Sequence, residues 1–397
     1  MMIKKKIQQL AKRYHKDLVH LRRHLHQYPE LSFKEKATGR FIAEQLKQLG
    51  IVHEYGVAEN GTVALIRGKK AEREVVALRA DIDALPIQED NKVAYKSKNE
   101  GVMHACGHDV HTASLLGTAR ILNELKGEFE GTVKLIFQPA EEKLPGGASL
   151  MIKEGALEKP RPGSIFGQHV HPPLATGKVG FCPGSYMASA DELYVTVKGR
   201  GGHGALPHEC IDPVAISAQI IVALQQVVSR FSNPITPSVL TFGKINTQGG
   251  ATNIIPNEVQ LVGTFRTMDE RWRDEAHKRM KKIATGIAKG MGGACKFKII
   301  KGYPVLHNDE KLTHNARAYA VEYLGQKQVI DLPIRMSSED FAWYSHELPA
   351  CFYRLGTGNV KRGITSPVHT STFDVDEGCL EVGAGLMAWM AIRGLGN

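Results

Sequence analysis

Three histidines and one cysteine lie within nine residues of the stretch HACGHDVHT, residues 104–112. Cys106 and His108 form a Cys-x-His pair in a glycine-containing turn, just before a predicted helix. A thiolate and an imidazole are both donors that Zn²⁺ accepts. A buried free cysteine beside a structural histidine is the alternative interpretation of this pair taken alone.

Two adjacent carboxylates, Glu141 and Glu142, end the apolar run VKLIFQPAEE, residues 133–142. Burying neighbouring carboxylates beside a core strand costs free energy unless a cation compensates their charge. Because side chains alternate along a strand, the two cannot both project to one face in regular strand geometry. We therefore expect one to bind a metal and the other to contact bound water. A solvated loop start is the alternative for this pair by itself.

Histidines at two more distant positions complete the set of candidate donors. His169 ends the apolar run SIFGQHVH, but His171 shares its strand face, so spacing does not choose between them. His369 lies in SPVHTSTFD, much later in the chain. Ligands of α/β sheets bind at the carboxyl ends of the strands. Donors of these types, gathered from several strand ends, predict a metal site.

The elements that must position these donors alternate along the chain. Short apolar runs separated by helices predict an α/β fold with a mainly parallel sheet covered by helices. Helices are predicted at about 4–26, 35–49, 109–126 and 376–394, and strands at 62–68, 74–85, 133–142, 164–171 and 351–357.

Between about 184 and 300 the order of elements changes to β-α-β-β-α-β, the ferredoxin-like unit. We expect a discontinuous main domain formed by residues 1–183 and 303–397, and a smaller inserted domain formed by residues 184–302. The junctions should lie near the Gly- and Pro-containing segments FCPGS (181–185) and GYPVLHN (302–308).

Composition limits the classes of function. A chain of 397 residues that is 42% hydrophobic can bury a large core. The formal charge is +10, but Lys and Arg are spread over amphipathic segments such as 271–289, so nucleic-acid binding is not expected. Neither a secretory signal nor a membrane span is expected, because the N-terminus lacks an apolar core and no stretch of about 18 apolar residues follows. Six scattered cysteines favour reduced thiols in a cytoplasm.

Seven motifs, taken together, resemble the aminoacylase/hippurate-hydrolase family of metallo-amidohydrolases, which includes the indole-acetyl-amino-acid hydrolases of plants. They run in the family's order across almost the whole chain: RADIDALP (79–86), HACGHDVHTA (104–113), QPAEE (138–142), GQHV (167–170), GRGGHGALPH (199–208), ATNIIP (251–256) and SPVHT (366–370). The resemblance implies a catalytic α/β domain, an inserted lid domain that often dimerises, and a site for two divalent ions.

The resemblance also implies a role for each motif residue. The implied metal ligands are Cys106, His108, Glu142, His169 and His369. Glu141 is the implied general base, and the family pattern favours His169 over His171. Many members of the wider metallo-carboxypeptidase superfamily have a His-x-Asp pair where this chain reads Asp81-Ile82-Asp83. Neither aspartate matches that ligand set, so Cys106 is expected to bridge the ions instead.

Residues outside the ligand set have implied roles as well. His203, in a Gly-rich turn, resembles a lid histidine that reaches the substrate carbonyl oxygen. Asn253 and Arg266 resemble residues that contact the substrate's carboxylate side, although an exposed strand arginine is the alternative for Arg266. We interpret Asp83 and Asp109 as groups that orient the ligands, with salt-bridged or capping aspartates as the alternative.

The resulting expectation is a cytoplasmic homodimer, or higher homo-oligomer through the lid, that hydrolyses N-acyl amino acids or short peptides with two ions of Zn, Mn, Co or Ni. A cysteine amidase with Cys106 as nucleophile and His108 or His111 as base is one rival. A non-catalytic, metal-dependent binding module on the same fold is another. A zinc deaminase is disfavoured because H-x-E followed by P-C-x-x-C is absent.

Overall fold

The structure is a computed structural model, and it describes residues 2–247, 249 and 251–396. The strands are, in chain order, β1 (Val52–Val57), β2 (Gly61–Arg67), β3 (Val75–Asp81), β4 (Thr132–Gln138), β5 (Ser164–Ala175), β6 (Val179–Phe181), β7 (Gly184–Met187), β8 (Asp191–Lys198), β9 (Gly202–His203), β10 (Ser238–Thr247), β11 (Ile254–Ile255), β12 (Glu258–Thr267), β13 (Ala294–Lys301), β14 (Leu306–Asn308), β15 (Val329–Asp331) and β16 (Ala350–Gly358). The helices are α1 (Met2–Gln27), α2 (Lys36–Gln48), α3 (His108–Glu124), α4 (Gly147–Lys153), α5 (Pro213–Gln226), α6 (Glu270–Gly290), α7 (Glu310–Leu324), α8 (Ala342–Ser345) and α9 (Cys379–Gly394).

The chain divides into two compact units. Unit 1 comprises Met1–Gly184, His307–Pro333 and Asp340–Asn397, and unit 2 comprises Ser185–Leu306 and Ile334–Glu339. The sequence analysis grouped residues 334–339 with the main domain. They group with unit 2 because the backbone N–H of Ala188 lies 3.2 Å from the carbonyl of Arg335 and 3.1 Å from that of Ser337, and donates to both.

Unit 1 is built on an eight-stranded sheet of order β1-β2-β4-β3-β5-β16-β6-β15. Its central strands β4, β3, β5 and β16 run parallel, whereas β1 and β2 form an antiparallel edge. Every residue of β3 and β4 is buried, which is typical of parallel strands covered on both faces. The predicted α/β class with a mainly parallel sheet is confirmed.

The main core of unit 1 joins the sheet to helices α1, α3 and α9. Gly117 of α3 lies close to both of the other helices. A Cβ atom at this position would lie 2.7 Å from a methyl group of Leu18 in α1 and 2.9 Å from Cβ of Ala384 in α9. The absence of a side chain at Gly117 therefore sets α3, whose N-terminus carries His108, against its neighbours.

Unit 2 has the order β8-α5-β10-β12-α6-β13 around an antiparallel sheet of order β10-β12-β8-β13. Burial alternates along β8, so its inward side chains pack against α5 and α6. Each helix starts at a capping aspartate: Asp212 accepts from the N–H of Val214 at 2.8 Å, and Asp269 from that of Trp272 at 2.7 Å. The connectivity is the ferredoxin-like order that the sequence predicted.

One helical stretch of unit 2 passes a test of length and mean hydropathy for a membrane span. Pro213–Phe231, which is α5 with the π-helical turn Val227–Phe231, has 19 residues and a mean hydropathy of 1.4, enough in length and composition for a membrane span. Core helices of globular proteins share both properties. Ile216, Ile220 and Leu224 of this stretch pack in the core of unit 2.

Candidate metal centre

The predicted donors of unit 1 converge at the carboxyl ends of the parallel strands. Glu141 and Glu142 follow β4, and His169 lies in β5. Cys106 precedes α3, His108 is its first residue, and His369 lies in the loop between β16 and α9. Because β3, β4 and β5 are parallel neighbours, their ends and the loops that follow them meet at one edge of the sheet.

The backbone is constrained at three positions beside the donors. Gly107 has φ 81°, and a Cβ atom there would lie 2.6 Å from a methyl group of Val170. Ala140 (φ 52°) and His369 (φ 63°) adopt the left-handed conformation that residues with a Cβ atom rarely adopt. Such strain persists where surrounding contacts fix the backbone, and it clusters at functional sites.

The donor atoms lie within a few ångströms of one another. The Cys106 Sγ atom is 3.4 Å from His169 Nε2 and 3.3 Å from His369 Nε2. Glu142 Oε1 is 3.2 Å from His369 Nε2 and 3.9 Å from His108 Nε2. His169 is thus in contact with the cysteine, and His171 is absent from every group of described donors close enough to share a cation.

Two such groups share Cys106: one is Cys106, His108 and His169, and the other is Cys106, Glu142 and His369. Within each group the donor atoms lie within 4.8 Å of one another. His108 Nε2 and Glu142 Oε1 are buried and have no hydrogen-bond partner among the described residues. Unsatisfied buried polar atoms are costly, so a cation that accepts these donors fits the observed arrangement.

The second ring nitrogen, Nδ1, of both His108 and His169 contacts an oxygen atom of the protein. His108 Nδ1 lies 2.9 Å from the backbone oxygen of Asp83 and 3.1 Å from its Oδ1 atom. His169 Nδ1 lies 2.8 Å from the backbone oxygen of Val170. Both contacts place an N–H on Nδ1, so Nε2 faces the cluster and would bind a cation in the tautomer that carries no proton on Nε2. This is the tautomer that metal-binding histidines need.

The electrostatic field of the cluster favours positive charge. Burial opposes protonation of His108, but Asp81, Asp83 and Glu142 outweigh it and raise the pKa of His108 to about 10. Burial, followed by Glu142 and the other carboxylates, raises the pKa of the Cys106 thiol. Without a cation the thiol stays protonated, whereas a divalent ion would compensate the thiolate and the carboxylates together.

Glu141 stands apart from its neighbour in its contacts. It is 6% exposed, and its Oε1 atom accepts a 3.4 Å hydrogen bond from the backbone N–H of Asp340. Asp340 is itself fixed, because its Oδ1 atom accepts from Arg79 Nη2 at 2.7 Å and its Oδ2 atom from Gln138 Nε2 at 2.7 Å. The adjacent glutamates thus have different surroundings, although they follow the end of β4 at Gln138 and are not in regular strand geometry.

Sequence reasoning missed the contribution of Asp81 and His111. Asp81 Oδ1 accepts from His111 Nδ1 at 2.5 Å, and Asp81 Oδ2 accepts from Arg79 Nη1 at 2.6 Å. His111 Nε2 accepts from the backbone N–H of Val170 at 2.9 Å, directly after His169. Both residues lie in quoted motifs. Their partners, however, depend on the pairing of β3 with β5.

Asp83 and Asp109 each hold more than one group. Asp83 Oδ2 accepts from the backbone N–H of Glu142 at 3.0 Å, in addition to the contacts of Asp83 with His108. Asp109 Oδ2 lies 2.7 Å from Arg22 Nε and 2.8 Å from His26 Nδ1, all three side chains being buried. The Arg22 contact is a buried ion pair, which is the alternative that the sequence analysis left open for Asp109.

The other predicted residues lie in unit 2. His203 is exposed and pairs with Ile254 in the short ladder β9–β11, next to Asn253, whose carbonyl accepts from the N–H of Gly204 at 2.7 Å. Arg266 lies in β12, and its Nη1 atom donates to Ser338 Oγ at 3.0 Å. His203 and Asn253 are therefore neighbours, although 50 residues separate them in the sequence.

Comparison with known proteins identifies relatives along most of the chain. A family model described as Peptidase family M20/M25/M40 matches residues 77–393. The N-acyl-L-amino acid amidohydrolase of Geobacillus stearothermophilus is 42% identical over 78% of this chain and 83% of its own length. Thermostable carboxypeptidase 2 of Saccharolobus solfataricus is 39% identical, with 95% of both chains covered. The crystal structure of the YXEP protein of Bacillus subtilis, described as a dinuclear metal binding peptidase from the M20 family, has a TM-score of 0.83 at 36% identity and covers 97% of this chain and 99% of its own.

Proposed function

The chain belongs to peptidase family M20/M25/M40, and we propose that it hydrolyses the amide bond of N-acyl amino acids, with short peptides as a second substrate class. The resemblance inferred from the motifs is confirmed, and the chain is a hydrolase of amide or peptide bonds. Relatives named amidohydrolase and carboxypeptidase support both substrate classes. The observation that carries the proposal is that two groups of potential metal donors share the buried Cys106.

A divalent metal is the cofactor that family membership and these donors support. The finer proposal is two ions per chain. Cys106, His108 and His169 would hold one ion, and Cys106, Glu142 and His369 the other. A thiolate and imidazoles favour borderline ions over Mg²⁺ or Ca²⁺, which supports Zn, Co or Ni, and the Glu142 carboxylate also suits Mn. When bound, such ions lower the pKa of water and polarise the substrate carbonyl.

Glu141 is the proposed general base and acid. Its carboxylate takes a proton from the attacking water, whose oxygen forms the new bond to the carbonyl carbon. The carbon–nitrogen bond then breaks, and Glu141 delivers the proton to the leaving nitrogen. The products are a carboxylic acid and a free amino acid, or a shortened peptide and an amino acid. The hydrogen bond from the N–H of Asp340 keeps the Glu141 carboxylate in one orientation.

Unit 2 supplies the proposed substrate contacts. His203 would stabilise the oxyanion, and Arg266 and Asn253 would bind the carboxylate of the amino-acid part. The exposed position of His203 beside Asn253 supports a shared role in contacting a ligand.

The cysteine-amidase rival loses one of its two candidate bases. Both ring nitrogens of His111 are engaged, by Asp81 and by the N–H of Val170. His108 remains as a base for Cys106 in that rival, so the two mechanisms need an experiment to separate them.

The proposed assembly is a homodimer, or a higher homo-oligomer, that forms through unit 2. Strand β10 is an open edge of its sheet, and Val222 of α5 and Ile245 of β10 are 67% and 53% exposed. An unpaired edge with apolar side chains favours association with a second chain. All six cysteines are free thiols, which supports the proposed cytoplasmic location.

The proposal is tested by removing metal with a chelator and restoring Zn²⁺, Mn²⁺, Co²⁺ or Ni²⁺ separately. The substrates are N-acetyl, N-benzoyl and indole-acetyl amino acids and dipeptides. Activity should disappear with the metal and return with at least one ion. Activity that resists chelation but is lost on alkylation would favour the cysteine amidase. Restored metal without hydrolysis of any substrate would favour the binding module.

A further inference from the structure

The end of α1 and the turn after it, residues 22–35, carry none of the proposed ligands but contact three of the loops that position them. The segment reads RRHLHQYPELSFKE. Its buried polar side chains reach the start of α3, the loop after β3 and the loop after β4. No role in the reaction has been assigned to it above.

Two of these contacts stabilise residues that support His108. Arg22 and His26 hold Asp109, the residue after His108, at 2.7 and 2.8 Å. Ser32 donates from Oγ to Asp83 Oδ2 at 2.7 Å. The same Asp83 carboxylate contacts His108 Nδ1 and accepts from the N–H of Glu142.

The third contact is made by Glu35, which is fully buried. Its Oε1 atom accepts from the backbone N–H of Ala140 at 2.7 Å, and its Oε2 atom from Asn60 Nδ2 at 3.2 Å. The carbonyl of Ala140 accepts from the N–H of Gly147 at 2.9 Å. Both backbone groups of Ala140 are thus engaged at its left-handed φ of 52°, directly before Glu141 and Glu142.

A buried carboxylate at this position is expensive for the fold. Burial, together with the nearby Asp83 carboxylate, raises the pKa of Glu35 to about 7. An apolar side chain would avoid this cost, but it could not hold the N–H of Ala140. The left-handed conformation of Ala140 is also unfavourable without such anchors. By accepting from the N–H of Ala140, the Glu35 carboxylate fixes the direction in which the backbone continues into Glu141 and Glu142.

We propose that residues 22–35 are a positioning segment of the metal centre, in which Glu35 fixes the backbone from which Glu141 and Glu142 project. The inference rests on the proposed function, because it assumes that Glu142 binds metal and Glu141 transfers the proton. Glu35 acts through Ala140 and contacts neither substrate nor metal.

The test compares Glu35→Met with Glu30→Met. Glu30 lies in the same segment, and its Oε2 atom accepts from the N–H of Thr38 at 2.7 Å and from Thr38 Oγ1 at 2.9 Å, but in the described part of the chain its side chain has no hydrogen bond to a ligand-bearing loop. Each chain is stripped of metal and titrated with Co²⁺, which is followed by the absorption band of a thiolate–Co²⁺ bond. Thermal unfolding is measured in parallel.

Glu35→Met should lower Co²⁺ affinity by about 10–100-fold, the range for outer groups that orient ligands, and lower kcat with little change in KM. Glu30→Met should lose stability but keep the Co²⁺ affinity of the wild type. Glu35→Gln retains one oxygen for the N–H of Ala140 and should restore most of the affinity. A purely structural role would not produce this pattern.

Several outcomes would overturn the inference. Folded Glu35→Met with wild-type Co²⁺ affinity would do so, as would equal losses of affinity in both Met variants. If Glu35→Met does not fold, wild-type Co²⁺ affinity in folded Ser32→Ala, which loses the hydrogen bond to Asp83, would overturn the positioning role of the segment. The absence of a thiolate band in the wild type would refute the proposed metal site and this inference with it. A normal wild-type band with unaffected variants would refute this inference alone.

Discussion

Units 1 and 2 each bury a cluster of charged side chains, and the two clusters differ in whether the protein's own groups satisfy them. In unit 2, Asp191 accepts from Arg273 Nε at 3.0 Å, from Arg273 Nη2 at 2.6 Å, from His277 Nε2 at 2.6 Å and from the N–H of Gly302 at 3.2 Å. Arg273 also donates to Glu270 and to the carbonyls of Ala190 and Gly302. This cluster is complete without a ligand.

The cluster in unit 1 is incomplete. His108 Nε2 and Glu142 Oε1 are buried and lack hydrogen-bond partners in the described chain, whereas the Nδ1 atom of His108 is fully held. The comparison teaches that burial and charge alone do not indicate function. The cluster of unit 2, whose charges are all satisfied by protein groups (the saturated cluster), stabilises the fold. In the cluster of unit 1 (the open cluster), the supporting atoms such as His108 Nδ1 are held, whereas the donor atoms face one another, and this arrangement favours a bound cation. The following predictions test this distinction.

The largest expected effect is that of Glu141→Gln. The variant keeps shape but loses basicity, so kcat should fall by a factor of about 10²–10⁴, with KM little changed because ground-state binding persists. Bound metal should stay near the wild-type amount, measured by elemental analysis beside steady-state kinetics. Glu142→Gln is the matched control and should lose metal as well as activity. A fully active Glu141→Gln enzyme would contradict the mechanism.

Breaking the saturated cluster should affect stability and leave the metal centre intact. Arg273→Met leaves Asp191 buried without its main counter-ion, which should cost about 3–5 kcal/mol of unfolding free energy. Arg271→Met, an exposed position on the same helix, should change it by less than about 0.5 kcal/mol. Denaturant unfolding and metal content check both variants. Loss of metal in folded Arg273→Met would show that the two clusters are not independent.

Weakening a support of the open cluster should affect metal binding more than stability. Asp83→Asn keeps the size of the side chain. In the wild type both carboxylate oxygens of Asp83 make contacts, whereas the asparagine amide has a single oxygen that can accept hydrogen bonds. Metal affinity should fall by about 10–100-fold. Asp90 is exposed, so Asp90→Asn is the control and should bind metal as the wild type does. Competition with a chelator measures both, and equal affinities would argue against the role of Asp83.

The smallest expected effect is the pH dependence of the unfolding free energy that Asp191 contributes to unit 2. Burial opposes ionisation of Asp191, but His277 and Arg273 outweigh it and lower its pKa in the folded state. The unfolded chain therefore takes up this proton first as the pH falls, so the stabilisation is present above the unfolded value of about 3.9 and is lost below it. The difference in unfolding free energy between wild type and Asp191→Asn should narrow from pH 5 to pH 3. A constant difference would contradict the assignment.

Several features followed directly from the sequence. The periodicities placed α2 and α3 within two residues of their observed bounds, and the β-α-β-β-α-β order gave the ferredoxin-like connectivity of unit 2. The types of donor at Cys106, His169 and His369 indicated a metal site before any fold was known. Such predictions can be made because hydrophobic periodicity and donor chemistry are local properties of the chain.

The tertiary structure decided which groups meet. Spacing left His169 and His171 equivalent, but only His169 shares a group of donors with Cys106. Glu35 accepts a hydrogen bond from the N–H of Ala140, which is 105 positions away in the sequence. Asp81 accepts one from His111, which is 30 positions away. Such contacts depend on the strand order β4-β3-β5-β16, which sets the distances between loops. The strand order of unit 1 results from packing distant parts of the chain around the core of that unit, and no local pattern encodes it.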